Sequence, residues 1–257
     1  MIVWLASYPR SGNTFLRAVL HALYGIPTYS VYDDDDPVAQ RVGPKLVGYR
    51  RKPSDRASMA ASSELYFVKT HKRCKGDGYP VIYLVRDGRD AVVSHARLRA
   101  SLAIGPGAPS FEALLRAAIT RPYVDGQPSS GTWGGNVLSW LSCTAAPVVL
   151  LKYEWLVVDP AEAVKRAVSS LVPDLAPNGD AVVPSFEALH EIDRTFFRRG
   201  VKGSYRDEMP DELHDLFWAQ PENAAAMRAL SYADAESGGP ASSRAQELKV
   251  GGLHRCD

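Results

Sequence analysis

The chain has 257 residues, 46% of them hydrophobic, and carries a formal net charge of +1 at pH 7. This length and composition allow one large buried core, and the near-zero charge excludes a global field that attracts nucleic acid or a membrane surface. No apolar run approaches the roughly 18 residues of a membrane span. We therefore expect one domain over residues 1–236, followed by a flexible tail over residues 237–257.

The cysteines and the first residues bear on the compartment. Cys74, Cys143 and Cys256 are odd in number and widely spread, which argues against a disulfide scaffold. The chain starts with an apolar run, without the basic region or the small-residue cleavage site of a signal peptide. We therefore expect a cytoplasmic protein in a reducing environment.

Apolar runs alternate with helical patterns along the chain. Runs rich in β-formers predict strands at 2–6, 65–69, 81–85 and 147–152. Amphipathic patterns predict helices at 14–24, 90–100, 111–120, 134–142 and 160–171. Near-continuous apolar strands separated by helices are typical of a parallel sheet, so we predict a three-layer α/β fold with helices on both faces. Its ligand should bind at the carboxyl ends of the strands.

The first predicted strand leads directly into residues 7–15, Ser-Tyr-Pro-Arg-Ser-Gly-Asn-Thr-Phe, which we call the glycine loop. Such a loop between a strand and a helix forms an anion site, because the first helical amides lack intrahelical partners and the dipole favours negative charge. A guanidinium there suits phosphate or sulfate oxygens. The loop lacks the lysine of the Walker pattern Gly-x4-Gly-Lys-Ser/Thr. Its candidate ligand-binding residues are Arg10, Ser11, Gly12, Asn13, Thr14 and Phe15.

The second predicted strand ends in Lys69-Thr70-His71. A strand end that carries a cation, a hydroxyl and an imidazole favours proton transfer, because histidine titrates near working pH. The alternative is a surface histidine among basic residues, since Lys72 and Arg73 follow at once.

The third predicted strand repeats the strand–turn–helix pattern. Arg86 lies at the end of this strand and Ser94 lies in the early turns of the next helix. A helix that folds back over the strand end can present both side chains to one phosphate. The sequence therefore predicts a second anion site.

Two later segments carry weaker signals. Tyr153 follows the last predicted strand and lies either in the pocket or in ordinary packing. Residues 197–200, Phe197-Arg198-Arg199-Gly200, suit a loop that brings guanidinium groups to a phosphate, although a double arginine is also common as a solvated surface pair. Trp133 is a weak pocket candidate at the start of a predicted helix.

These motifs resemble those of the sulfotransferases, in the family's order and over most of residues 2–205. The glycine loop is similar to the 5′-phosphosulfate loop Tyr-Pro-Lys-Ser-Gly-Thr/Asn-Thr-Trp, with arginine at 10 and phenylalanine at 15. Arg86 with Ser94 resembles the 3′-phosphate motif, and residues 69–71 resemble the catalytic strand end. Residues 196–200 resemble the Phe-x-Arg-Lys-Gly loop. The Tyr-Glu-Asp strand end departs at its third position, where Trp155 stands.

The resemblance implies a P-loop-like fold and 3′-phosphoadenosine 5′-phosphosulfate (PAPS) as the sulfuryl donor, with 3′,5′-ADP as the product and no metal. It implies that His71 removes the proton of the acceptor and that Lys69 and Arg10 stabilise charge. It also implies a 3′-phosphate and adenine site formed by Arg86, Ser94, Tyr153, Phe197, Arg198, Arg199 and Gly200, with Phe15 stacked on adenine.

The acceptor and the oligomeric state stay open at this point. We expect a small-molecule or glycoconjugate acceptor, bound through a hydroxyl in preference to an amine, in a pocket formed by residues 25–64 and 101–131. Four consecutive aspartates at 33–36 are either a solvated loop or a steering element for a cationic acceptor. The alternative functions are a small-metabolite kinase with an unusual phosphate loop and a catalytically silent sensor of 3′,5′-ADP.

Overall fold

The protein forms a five-stranded parallel sheet with the strand order β2-β3-β1-β4-β5. In this computed structural model the described residues are 1–32, 42–52, 55–103, 105–121 and 130–232. The strands are β1 (Ile2–Ser7), β2 (Thr28–Ser30), β3 (Tyr66–Thr70), β4 (Val81–Val85) and β5 (Val148–Lys152). The four strands that the sequence predicts lie within one residue of the observed bounds. The edge strand β2 was not predicted, because three residues are too few to produce a pattern.

Helices cover the sheet on both faces. Their bounds are α1 (Asn13–Tyr24), α2 (Arg56–Ala61), α3 (Gly88–Leu102), α4 (Phe111–Thr120), α5 (Trp133–Leu141), α6 (Tyr153–Val158), α7 (Pro160–Ser169), α8 (Phe186–Ile192), α9 (Asp211–Ala219) and α10 (Pro221–Ala229). A 3₁₀ turn spans Ser204–Asp207. The predicted helices correspond to α1, α3, α4, α5 and α7. The helices without a prediction are six to nine residues long.

The alternation of side chains along β1 explains why the fold has three layers. Ile2, Trp4 and Ala6 belong to one buried cluster, together with apolar residues of α3, α4, α5, α9 and α10. Val3 and Leu5 belong to a second buried cluster on the opposite face, together with α1, α6 and α7. Because successive strand residues point to opposite faces, an all-apolar strand requires a helical layer on each side. The predicted fold class is confirmed.

Helix α5 is fastened to the segment that follows β3. A disulfide joins Cys74 in that segment to Cys143, which lies just beyond the end of α5. The sequence argued against a disulfide scaffold, and the described residues contain this single bridge, between Cys74 and Cys143. Their separation of 69 residues gave no sign of the pairing, which arises only because α5 packs beside the end of β3.

Trp133, the weak pocket candidate, lies in the core. It is fully buried and packs against Phe217, with the two ring centroids 5.8 Å apart. A Cβ at Gly88 would lie 2.6 Å from its ring, so the start of α3 rests directly on this tryptophan. The pocket assignment for Trp133 is therefore wrong, because the first turn of α5 is covered by α3 and α9.

Some expectations fall outside the described residues. These are the aspartates at 33–36, the tail over 237–257, and residues 104 and 122–129 of the segment 101–131. Within the described residues, no helix combines the length and apolar character needed to cross a membrane. The cytoplasmic location and the domain bounds stay predictions.

Candidate active site

A cavity of about 600 Å³ opens at the carboxyl edge of the sheet. The predicted site residues in its wall are Arg10, Gly12, Asn13, Thr14, Phe15, Lys69, His71, Arg86, Ser94, Tyr153, Phe197, Arg198, Arg199 and Gly200. Ser11 lies behind this wall, where its hydroxyl is buried without a hydrogen-bond partner in the described structure. The parallel sheet brings these residues together, because β1, β3, β4 and β5 all end at the same edge.

The backbone of the glycine loop is shaped to present amides. Arg10 and Gly12 both adopt the left-handed conformation, with φ of 66° and 99°. Gly12 is the N-cap of α1 and supplies no side-chain cap, so the first amides of the helix have no side-chain acceptor at that position. Successive amides in such a turn at a helix N-terminus form an anion-binding concavity. A Cβ at Gly12 would lie 2.5 Å from the ring of Tyr153, so only glycine fits there.

Asn13 contributes to the loop mainly through its backbone. Its side-chain amide donates to the carbonyl of Leu5 at 2.9 Å and to Ser7 Oγ at 3.2 Å. These bonds attach the start of α1 to β1. The amide nitrogen of Asn13 is therefore engaged with the strand, whereas its Oδ1 is buried without a hydrogen-bond partner in the described structure.

Arg10 lies between the glycine loop and the second anion site. Its Nε donates to Ser94 Oγ at 3.2 Å, and its terminal nitrogen donates to the Phe196 carbonyl at 2.5 Å. The guanidinium carbon lies 4.1 Å from the centre of the Phe196 ring. This arrangement combines hydrogen bonds with a cation–π contact, and it fixes a permanent positive charge between the two sites.

The imidazole of His71 is held in a defined orientation. Its Nδ1 lies 2.9 Å from the Ser7 carbonyl oxygen, and its ring stacks on Tyr32 at an interplanar angle of 30°. A carbonyl can only accept, so we assign the proton to Nδ1 and the ring's lone pair to Nε2. Lys69, from the same strand end, is buried, and its ammonium lies 5.8 Å from the Tyr32 ring.

Helix α5 holds the backbone that carries His71. The fully buried Asn136 donates to the carbonyls of His71 at 3.0 Å and of Ser130 at 2.8 Å, and it accepts from the Tyr83 hydroxyl at 2.9 Å. Because every polar atom of this amide is engaged, the position of the strand end is well specified.

Arg86 is buried against the opposite wall. Its guanidinium carbon lies 4.6 Å from the centre of the Tyr153 ring, and one terminal nitrogen donates to the Val201 carbonyl at 3.2 Å. Its Nε is buried without a hydrogen-bond partner in the described structure. A buried donor of this kind is expensive to leave unpaired, which favours an anionic ligand at this wall.

We call residues 197–205 the arginine loop. Its arginines at 198 and 199 are paired with carboxylates. Arg198 contacts Glu208 at 2.5 Å, and Arg199 contacts Asp207 at 2.8 Å. Burial alone would raise the pKa of Glu208, but hydrogen bonds from Arg198 and Arg97 outweigh it and lower that pKa. The two arginines therefore reach the cavity from a loop that is anchored on its outer side.

The cavity wall also contains residues that the sequence did not indicate. Phe186 is among them, and it comes from a segment without a predicted element or motif. Tyr32 and Ser130 lie in the wall as members of the segments expected to bind the acceptor, and Phe196 as the first residue of the motif at 196–200. Phe186 lies 6.1 Å from both Phe15 and Phe197, which makes an aromatic corner beside the glycine loop. Their chain positions carried no local signal that they meet.

His95 is a buried part of the wall. Its Nδ1 lies 3.4 Å from the Tyr8 hydroxyl. Burial, with smaller contributions from the charges of Arg99 and Arg10, lowers the pKa of His95 from 6.5 to about 3. This imidazole therefore stays neutral near physiological pH.

Among the described residues, no group of three or more histidine, cysteine, aspartate or glutamate side chains is placed to hold a metal ion. The cavity wall instead presents arginine, lysine, hydroxyl and amide donors. The fold and the site define an α/β protein with a cation-lined cavity at the carboxyl edge of a parallel sheet, which suits an anionic ligand.

Residues 2–171 match the model of the sulfotransferase domain. The chain therefore belongs to the sulfotransferase family, and the prediction of a PAPS-dependent sulfotransferase is confirmed at the level of the family.

Two plant and mouse relatives match over most of their length. Flavonol 3-sulfotransferase of Flaveria bidentis is 24% identical over 82% of this chain and 77% of its own. Mouse sulfotransferase 1E1 is 21% identical over 83% of this chain and 79% of its own. A mouse sulfotransferase was solved in complex with PAP, which is the nucleotide written here as 3′,5′-ADP. Its structure has a TM-score of 0.58 to this one at 19% identity, over 90% of this chain and 88% of its own.

Proposed function

We propose that this sulfotransferase moves the sulfuryl group of PAPS to a hydroxyl of a small-molecule or glycoconjugate acceptor, with His71 as the general base. The observation that carries the proposal is the orientation of His71, whose Nδ1 is fixed on the Ser7 carbonyl beside two groups of cations in one cavity. A base must have its lone pair directed away from its anchoring bond, as this tautomer provides.

The two anion sites would hold the two ends of the donor. The phosphosulfate end would lie on the backbone amides of the glycine loop, near Arg10 and Lys69. The 3′-phosphate would bind Arg86, Ser94 and the arginine loop. The buried Nε of Arg86, which has no hydrogen-bond partner in the described structure, would donate to it. The aromatic side chains of Phe15, Tyr153 and Phe197, with the backbone at Gly200, would enclose the adenine. A mouse sulfotransferase of the same fold was solved with PAP, which supports a nucleotide of this kind as the ligand.

The reaction would be an in-line displacement. The acceptor oxygen forms a bond to sulfur as the bond from sulfur to the 5′-phosphate oxygen breaks, and the acceptor's proton passes to Nε2 of His71. Negative charge grows on the leaving phosphate, so the fixed cations Arg10 and Lys69 and the loop amides stabilise the transition state. The chemistry needs no metal, because protein cations supply the charge that Mg²⁺ supplies in phosphoryl transfer.

Arg10 would act through its charge alone. A guanidinium remains protonated in proteins and cannot donate a proton to the leaving group. Its bonds to Ser94 and to the Phe196 carbonyl place that charge close to both ends of the nucleotide.

The name of the flavonol 3-sulfotransferase relative indicates a hydroxyl acceptor for that protein, which supports the same acceptor class here.

The experiment measures transfer of label from radiolabelled PAPS to a panel of phenols, alcohols and glycans without added metal. We expect transfer by the wild-type protein and a loss of about a thousandfold in His71→Ala, which falls in the range of general-base effects. Binding of 3′,5′-ADP, followed by calorimetry, should change by less than about threefold. His21→Ala, on α1 and outside the cavity wall, is the matched control.

The outcomes separate the alternatives. Transfer that requires Mg²⁺ and ATP would indicate the kinase, and tight 3′,5′-ADP binding without transfer to any acceptor would indicate the sensor. If His71→Ala kept more than about a tenth of the wild-type rate, His71 would not be the base.

A further inference from the structure

We propose that Asp90 is the positioning residue that gives this protein its preference for a nucleotide with a 3′-phosphate. The proposal rests on the proposed function and adds a residue outside the predicted site. Asp90 would act through the arginine loop and Arg86, without touching the nucleotide.

Asp90 is fully buried and accepts three hydrogen bonds from the arginine loop. The amide of Gly203 donates to Oδ2 at 2.8 Å, and the amide of Tyr205 donates to Oδ1 at 2.9 Å. The Ser204 hydroxyl also donates to Oδ1, at 3.1 Å. Three donors on one buried carboxylate compensate for much of its desolvation, and charge-assisted bonds of this kind are the strong ones.

The same carboxylate also lies beside Arg86. Oδ2 of Asp90 is 3.7 Å from the terminal nitrogen of Arg86, which itself donates to the Val201 carbonyl. Asp90 therefore connects the strand-end arginine of the second anion site to the loop that carries the other two arginines. A displaced carboxylate would release both parts at once.

The anchors that the arginine loop makes through its own arginine side chains differ in one respect. Arg198 and Arg199 are attached through their side chains to Glu208 and Asp207, and these side chains are the ones expected to bind phosphate. An arginine that turns toward a phosphate weakens its own carboxylate contact. The bonds to Asp90 involve backbone amides and one hydroxyl, so they persist when the guanidinium groups are used by the ligand.

The discriminating experiment compares two nucleotides on one variant. Asp90→Asn keeps the size of the side chain but removes its charge and one of its two acceptor oxygens. We expect the Kd for 3′,5′-ADP to rise at least about tenfold, while the Kd for 5′-AMP changes less than about threefold. The ratio of the two constants reports the contribution of the 3′-phosphate to binding. A general loss of stability would weaken the binding of both nucleotides and leave this ratio unchanged.

Asp87→Asn is the matched control. Asp87 lies one helical turn away and is buried, and its carboxylate pairs with Arg89 at 2.8 Å. The Arg89 guanidinium lies 4.2 Å from the Tyr205 ring, so this variant disturbs a side-chain contact of the arginine loop but not the backbone bonds that the loop makes to Asp90. This variant should lower Tm and leave the ratio of the two nucleotide constants unchanged. If the ratio of the Kd for 3′,5′-ADP to the Kd for 5′-AMP rose equally in both variants, the proposal would be overturned.

A double-mutant cycle tests whether Asp90 acts through the loop. Arg198→Ala should weaken 3′,5′-ADP binding by about tenfold in the wild-type background, and by less than about threefold on top of Asp90→Asn. Full additivity of the two effects would contradict the proposed route.

Hydrogen exchange on the wild-type protein keeps the proposal falsifiable if Asp90→Asn does not fold. The amides of Gly203 and Tyr205 should exchange slowly with and without 3′,5′-ADP, because Asp90 holds them in both states. Fast exchange in the nucleotide complex would overturn the proposal. A wild-type protein that does not bind 3′,5′-ADP would instead contradict the proposed function, so the two failures are distinguishable.

Discussion

The glycine loop and the arginine loop are expected to bind two ends of one nucleotide, yet they are built differently. The glycine loop is one continuous strand–turn–helix, and its shape follows from the left-handed backbone at Arg10 and Gly12. The arginine loop depends on α3, since the Gly203 amide donates to Asp90 of that helix across 113 residues of sequence. The first loop is thus specified by local conformation, and the second by packing between distant segments.

The glycine loop also contacts α3 directly. Arg10 of the glycine loop donates to Ser94 on α3, and the Tyr8 hydroxyl contacts His95 on the next residue of that helix. The comparison therefore yields separate predictions for the local loop and for the contacts that join it to α3.

Gly12→Ala should have the largest effect, because it disturbs the locally built region. A Cβ there would be 2.5 Å from the Tyr153 ring, in a backbone conformation with φ of 99° that side chains rarely adopt. We expect 3′,5′-ADP binding to weaken by about a hundredfold or more, equivalent to about 2.7 kcal/mol, as measured by calorimetry.

Gly107→Ala is the control for backbone strain alone. Gly107 has φ of 87°, but a Cβ would meet nothing within 4 Å. This variant should lower the free energy of unfolding by about 1 kcal/mol and leave nucleotide affinity unchanged. If Gly12→Ala behaved in the same way, contact with Tyr153 would not be what requires glycine in the loop.

His95→Gln tests the contact between the glycine loop and α3 through the pH dependence of stability. Burial lowers the pKa of His95 from 6.5 to about 3, so the folded protein binds fewer protons than the unfolded chain between those values. Stability conferred by the neutral imidazole is therefore lost as pH falls from 6.5 toward 3. Between about pH 7.5 and about pH 5 the wild type should lose about 2 kcal/mol more unfolding free energy than His95→Gln, in urea titrations.

Tyr8→Phe is the matched control for that measurement. It removes the hydroxyl that faces His95 and leaves the imidazole buried. Since burial is the main cause of the lowered pKa, this variant should keep the pH dependence of the wild type. A wild type and a His95→Gln variant with parallel pH profiles would show that His95 is protonated in the folded state.

Arg10→Lys should have the smallest effect. If Arg10 acts only through its charge, lysine should change turnover by less than about tenfold, or 1.4 kcal/mol. A larger gain in steady-state turnover would mean that the position needs a proton donor. Because Nε of Arg10 donates to Ser94, we also expect a modest weakening of 3′,5′-ADP binding.

The sequence determined the features that depend on neighbours along the chain. Four strands, five helices and the glycine loop follow from local periodicity and from the turn residues between a strand and a helix. Arg86 and Ser94 could be predicted for the same reason, because Arg86 follows one strand and Ser94 lies on the next helix.

Only the tertiary structure decided which distant segments meet. The pairing of Cys74 with Cys143, the support of His71 by Asn136 and the attachment of the arginine loop to Asp90 all join residues more than 60 positions apart. Such contacts leave no periodic trace in the sequence, because they result from how buried faces pack rather than from the repeat of one helix or strand.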